Sequence, residues 1–107
     1  MKISAHRINV RTMRKLSEND GLTLRDGYPV TYKSGYQVAT ESEVTTTPEM
    51  AMVMARCKKD CGIWYANGLY YVDASRRVPT KKEALKLARE HKQVSILKWA
   101  TMELIYC

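Results

Sequence analysis

Phenylalanine is absent from this chain, and histidine occurs only twice, proline and cysteine three times each, in 107 residues. Three cysteines make no paired disulfide framework, so a core and its hydrogen bonds must hold the fold, and a reducing, cytoplasmic setting is expected. No apolar leader follows Met1 and Lys2, which agrees with that expectation. The longest apolar run, Met50 to Ala55, falls far short of the roughly twenty residues that cross a bilayer. No membrane partner is expected.

The local signatures of chemistry are missing as well. There is no glycine-rich phosphate loop after a strand, no nucleophile elbow and no acidic pair at a recognisable spacing. A non-enzymatic protein without a cofactor is therefore expected. Cys57 and Cys61 stand four apart, with His91 and Cys107 as conceivable further ligands. A structural zinc site more often shows two short ligand pairs, and the second pair is lacking here, so no metal is expected. A Cys–His nucleophile pair drawn from Cys57 or Cys61 with His91 or His6 has no sequence context to support it.

Acids are scarce: 11 against 18 Lys and Arg, a formal charge of +7. The excess lies at the two ends, in residues 1–20 and 68–107, while residues 21–67 balance. Long-range attraction then favours phosphate backbones or acidic protein surfaces. The length suits one domain with a modest core.

What the chain does contain is a repeat. Tyr36, Val38, Val44, Thr46 and Glu49 recur thirty-four residues later as Tyr70, Val72, Val78, Thr80 and Glu83. Residues 35–67 and 68–107 thus read as two copies of one unit behind an N-terminal segment of residues 1–34. In each, Thr precedes Glu by three at the start of a helical apolar period. Thr46 with Glu49 and Thr80 with Glu83 read as capping boxes. The inward stripes read as Met50, Val53, Met54 and Cys57 in the first helix and Ala84, Leu87, Ala88 and His91 in the second.

Tyr36-Gln37-Val38 and Tyr70-Tyr71-Val72 alternate as strands, with shorter extended pieces around Val44 and Val78 and further strands at residues 62–65 and 94–99. Asn67-Gly68 suits a type I′ hairpin between the units. Met1 to Val10 is expected as a strand and Val10 to Asn19 as a short helix ended near Gly21, with turns at Asp26-Gly27 and Ser34-Gly35 around an extended Tyr28 to Lys33 and a last strand over Met102 to Tyr106. The expected fold is α+β: a two-layer sandwich of an antiparallel sheet with two helices and a third, short one. Its internal pseudo-repeat would be of strand-strand-helix-strand units.

Two surfaces stand out. Lys82, Lys86 and Arg89 follow i, i+4, i+7 on the second helix, with Lys81 in its first turn and Arg76-Arg77 just before it, a strip able to lie along phosphates. The first helix is apolar all round, so Met52 and its neighbours need a cover: the chain's own N-terminus, a second subunit in a homodimer, or a target protein. The seven Tyr and two Trp fall on predicted strands. Exposed on one face they would form a stacking platform for bases; inward they would fill the core.

The segments Gly62-Ile63-Trp64-Tyr65, Gly68-Leu69-Tyr70-Tyr71-Val72-Asp73, Glu83-Ala84-Leu85 and Gln93-Val94-Ser95-Ile96 resemble small proteins encoded by tailed phages and prophages. Gly21-Leu22-Thr23-Leu24 and Ser34-Gly35-Tyr36-Gln37-Val38 share the likeness. The resemblance implies an accessory protein of a mobile element, acting in the host cytoplasm. Such proteins bind and block a host protein or ribonucleoprotein complex, such as a CRISPR–Cas effector (an anti-CRISPR role), a restriction enzyme or a polymerase. The alternative expectation is a small basic DNA- or RNA-binding protein using the strip directly.

Overall fold

Two Asx-Gly hairpins and three capped helices punctuate the chain. The computed structural model, which describes residues 2, 3 and 6–107, places β1 at Lys2–Ile3, α1 at Val10–Arg14, β2 at Gly21–Arg25, β3 at Tyr28–Thr31 and β4 at Tyr36–Thr45. There follow α2 (Pro48–Arg56), β5 (Asp60–Ala66), β6 (Leu69–Val78), α3 (Lys81–Glu90), β7 (Ser95–Lys98) and β8 (Glu103–Tyr106). The protein is α+β. Its sheet is eight-stranded, in the order β1-β3-β2-β5-β6-β4-β7-β8, and every pairing is antiparallel. Asp26-Gly27 and Asn67-Gly68 take φ of 52° and 85°, and of 52° and 75°, the paired left-handed residues that two-residue type I′ turns demand.

The central pair, β4 with β6, runs from Tyr36 opposite Val78 to Thr45 opposite Tyr70. Val44 and Val78 are therefore the far ends of continuous strands, not separate short pieces. Thr40 to Glu43 read as a break because they are polar, yet their backbone keeps the ladder while their side chains stay near solvent. The strands exchange partners around this pair. β5, which follows α2, adds to β6, and β7, which follows α3, adds to β4.

One irregularity resets the frame of everything downstream. The register shifts between Ala39 and Glu41, leaving Thr40 as a bulge whose Oγ1 donates to Ala74 O at 3.2 Å. The extra residue puts the first helix start one place late. Thr47, not Thr46, is the N-cap and accepts from Met50 N, while Thr80 accepts from Glu83 N in the expected way. Glu49 consequently makes no capping box with Thr46. Its carboxylate pairs with Arg14 of α1; its own backbone amide and the Arg14 guanidinium hold it below the ordinary 4.5.

The inward stripe of α2 moves by the same step. Ala51 and Ala55 are fully buried, Met52 and Met54 pack partly against the core, and Met50 and Val53 remain 48% exposed. Cys57 and His91, read as the last inward positions, are exposed C-cap residues. In α3 the buried pair is Ala84 and Ala88. Alanine at i and i+4 brings each helix axis close to the sheet, where a larger side chain would hold it off.

Two clusters make the core. Ile8, Met13, Leu24, Ala51, Ala55, Cys61, Ile63, Tyr70 and Val72 form one; Val38, Val78, Ala84, Ala88 and Ile96 form the other. Tyr70, Val72 and Val78 are an even number of residues apart on β6, so both clusters lie on the same face of the sheet. The N-terminal segment closes the first. Its helix ends at Arg14, short of the expected Asn19, and Met13 O accepts from Tyr70 Oη at 3.2 Å. Arg56 Nη2 donates to Ile8 O at 2.7 Å. Of the strand expected within Met1 to Val10, Lys2–Ile3 is present; Met1, Ser4 and Ala5 lie outside the described residues.

Overpacking should expose the frame of α2. Ala55→Leu is expected to cost about 1–3 kcal/mol, whereas Val53→Lys should stay within about 0.5 kcal/mol of wild type; urea denaturation of both checks the assignment.

Candidate binding surfaces

The helix side carries the cations. Thr80 fixes the start of α3, Ala84 and Ala88 turn inward, and Lys81, Lys82, Lys86 and Arg89 are left exposed. None of these four makes a salt bridge or side-chain hydrogen bond among the described residues; the ion pairs Arg14–Glu49 and Lys58–Glu43 lie elsewhere. Glu83 and Glu90 are the only acids on the helix.

The arginine pair before it divides. Alternation along β6 sends Arg76 to the helix side with Val78, and Arg77 to the opposite side with Ser75 and Asp73. Arg77 is anchored there: its Nε donates to Ser34 O at 3.0 Å, its Nη2 to Ser34 Oγ at 3.1 Å, and its guanidinium lies 5.1 Å from the centre of the Tyr32 ring. Arg77 thus leaves the strip that the sequence assigns it to. Met52 is partly buried and packs against the first core cluster, to which Ile8 and Met13 of the N-terminal segment also belong.

The sheet face away from the helices is a surface that the sequence does not mark. It is concave and encloses about 920 Å³, a volume in the range of ligand-binding clefts. Trp64, Trp99, Leu97, Met102 and Leu104 supply its apolar lining, with Thr23, Gln37 and Ser75 among its polar groups; Lys2 and Asp73 are its only charged residues among those described. Trp64 is 44% exposed, whereas Trp99 is 5% exposed. Trp99 is locked: its Nε1 donates to Gln37 Oε1 at 3.1 Å, Gln37 Nε2 donates to Ser75 Oγ at 2.8 Å, and Tyr32 packs edge-on at 5.4 Å. A polar recess of about 240 Å³ adjoins the concavity, sharing Thr23 and Gln37 with it and lined also by Leu24, Arg25, Tyr32, Asp60, Arg76 and Arg77.

The aromatics are thus divided between the two uses that the sequence left open. Tyr70 is core, Trp64 lines the concavity with its cross-strand neighbour Tyr71 on the same sheet face, and Trp99 is a buried strut. The signal is present in phase: Trp64 and Tyr71 alternate against Ile63 and Val72. Recognising a shared open face requires the strand order as well.

Titration argues against reactive thiol chemistry at Cys61. Burial pushes its thiol up to about 12, outweighing the nearby Lys58, so it stays protonated and a poor nucleophile or metal ligand. Cys57 and Cys107 are exposed and free. Among the described residues no three His, Cys, Asp or Glu side chains converge. Asp73 is held above its ordinary 3.8 by desolvation, against the opposing hydrogen bond from Ser42 and the charge of Lys58.

The chain matches no family model, and neither a curated protein nor a solved structure shows significant similarity to it.

In the native protein a thiol reagent should modify Cys57 and Cys107 quickly and Cys61 only on unfolding, which a timed thiol titration with and without denaturant reads. Because the folded pKa of Asp73 lies above the unfolded one, the native state binds the extra proton and stability falls as pH rises from 3.8 through the folded value. Asp73→Asn should therefore raise the melting temperature at neutral pH and converge on wild type in acid, measured by thermal scans across pH.

Proposed function

We propose that the protein is a non-enzymatic binding protein, of the kind encoded by phages, that attaches stoichiometrically to a host nucleic-acid-processing complex and obstructs it. The observation that carries this reading is the division of its surface. A chain of formal charge +7 lines a concavity of about 920 Å³ chiefly with apolar side chains, only Lys2 and Asp73 being charged among the described lining residues, and sets its α3 cations on the other side. The concave face suits an apolar segment of a protein target, with Trp64 as the anchor. The α3 face suits phosphates or an acidic surface beside that segment.

The two helix-bearing units are read as copies of one duplicated strand-helix-strand unit, forming a sheet layer with helices packed on one side. Two features support this. Matching positions fall thirty-four apart before the Thr40 bulge and thirty-three apart after it, as in Tyr36 with Tyr70 and then Thr47 with Thr80, Ala51 with Ala84 and Ala55 with Ala88. The strand exchange treats the two halves alike. After duplication one copy kept a charged outer helix face while the other lost it under the N-terminal segment. A second function, direct binding of DNA or RNA, is favoured by one observation alone, the row of unpaired cations on α3.

Titration against purified CRISPR–Cas effector and restriction complexes tests the reading. A fixed stoichiometry is expected with the cognate complex, and Trp64→Ala should weaken it about tenfold or more, the effect typical of removing a buried aromatic anchor. Lys82→Glu with Lys86→Glu should flatten the salt dependence by about two units of log–log slope, one for each phosphate no longer neutralised. Oligonucleotide affinity that falls steeply with salt and ignores Trp64→Ala, with no complex bound, would leave the nucleic-acid reading in its place.

A further inference from the structure

The two edges of the sheet are defended differently. β1 is two residues long and carries Lys2, and β3 beneath it contains Pro29, devices that discourage another strand from adding there. β8 has neither lysine nor proline nor a bulge, and among the described residues nothing covers its outer side. Around it stand Val94, Met102, Leu104 and Tyr106, the two outermost, Val94 and Tyr106, being 74% and 72% exposed.

The direction of its backbone groups follows from one hydrogen bond. Cys107 N donates to Val94 O at 2.9 Å, and the register sets Tyr106 opposite Ser95, Ile105 opposite Ile96 and Leu104 opposite Leu97. Groups facing a neighbour alternate along an antiparallel strand. Glu103, Ile105 and Cys107 therefore bond toward β7, while Leu104 and Tyr106 turn both N–H and C=O to the open edge.

We infer that β8 pairs antiparallel with β8 of a second copy of this chain, about a two-fold axis at Ile105 and normal to the sheet. In that register Leu104 and the partner's Tyr106 each donate to and accept from the other, so every outward group of the strand is satisfied. Leu104 lies beside the partner's Tyr106 on the concave side, and Ile105 beside the partner's Ile105 on the helix side. Glu103 falls opposite the partner's Cys107, so no like charges meet. Centring the axis on Glu103 instead would set two glutamates face to face, which disfavours that alternative. An isologous contact of this kind closes on itself and does not propagate.

The contact is short, so the dimer is reversible and concentration-dependent rather than obligate. Its geometry has a consequence for the surfaces above. A two-fold axis normal to the sheet opens both concavities to the same side and sets both α3 faces together on the other. Two chains of formal charge +7 repel, so added salt strengthens the dimer. Polyanion binding responds to salt in the opposite sense. The dimer goes beyond the proposed binding role and does not depend on it.

Sedimentation velocity over a dilution series, at low and high salt, tests the pairing. Wild type should shift from monomer toward dimer with concentration, and more readily at high salt. Tyr106→Pro deletes an outward N–H that β7 does not use, so it should remain folded by circular dichroism and stay monomeric. Ile105→Pro, which deletes a bond to β7, should instead destabilise the fold.

Register has its own readout. Glu103→Cys in a Cys57→Ser background should oxidise to a disulfide-linked dimer through the partner's Cys107, because directly opposed residues of a non-hydrogen-bonded pair lie about 4.5 Å apart, within disulfide reach. A chain monomeric at every concentration overturns the inference. So does a dimer that survives Tyr106→Pro or fails to cross-link.

Discussion

The antiparallel pairing of β4 with β6 is the constraint on which the rest of the molecule hangs. The two strands that flank each of α2 and α3 are not neighbours in the sheet: β6 lies between β4 and β5, and β4 lies between β6 and β7. Each half therefore supplies the edge on which the other half builds. The β5–β6 hairpin, tightened by Asn67-Gly68, is local and closes at little cost in chain entropy. Joining Tyr36 to Val78 closes a much longer loop, and until it closes β7 has no strand but β8 to pair with. Folding of residues 35–67 or 68–107 alone is not expected on this geometry, since most of the hydrogen bonds of each half belong to the other.

The same pairing fixes which side chains share a face. Once the even positions of β6, Tyr70, Val72 and Val78, are committed to the helices, the odd positions Tyr71, Asp73 and Arg77 must look the other way. This parity splits Arg76 from Arg77 although they are adjacent. It also accounts for the position of Asp73, a carboxylate pressed against an apolar concavity and held above its ordinary 3.8 by desolvation. The cations on α3 stay exposed because their helix turns Ala84 and Ala88, with Leu85 and Leu87 beside them, to the sheet and leaves its outer side in water.

Much of the fold was legible because its signals are local. Asn67-Gly68 marked its hairpin by the left-handed geometry it favours, Asp26-Gly27 marked a turn, Thr80 marked the start of α3, and the last strand was placed over Met102 to Tyr106, where β8 lies. What failed was phase. The thirty-four-residue alignment needed no gap in the sequence, yet Thr40 is a bulge, so the cap at Thr46 and the inward positions Met50, Val53 and Cys57 fell out of phase, while Met54 packs inward as assigned. Methionine and valine then outweighed alanine in choosing the inward stripe of α2, although the tight approach of helix to sheet selects the small residue. The cation cluster on α3 was legible from helical spacing. The concave face was not, because its lining comes from all eight strands together, and only the strand order assembles it.

The concavity stays open for a reason that the helices themselves supply. Covering it would take an amphipathic element that turned its apolar side to this face, and the three helices pack their buried residues on the other. α1 places Met13 in the first cluster and α2 places Ala51 and Ala55 there, with Met52 and Met54 filling the margin. α3 sets Ala84 and Ala88 into the second cluster, and its remaining side is charged. With every described helix committed to one side of the sheet, Trp64, Leu97, Met102 and Leu104 have no cover from the described residues. Apolar surface gathered in a hollow, and not scattered singly over the exterior, is the arrangement of an interaction site.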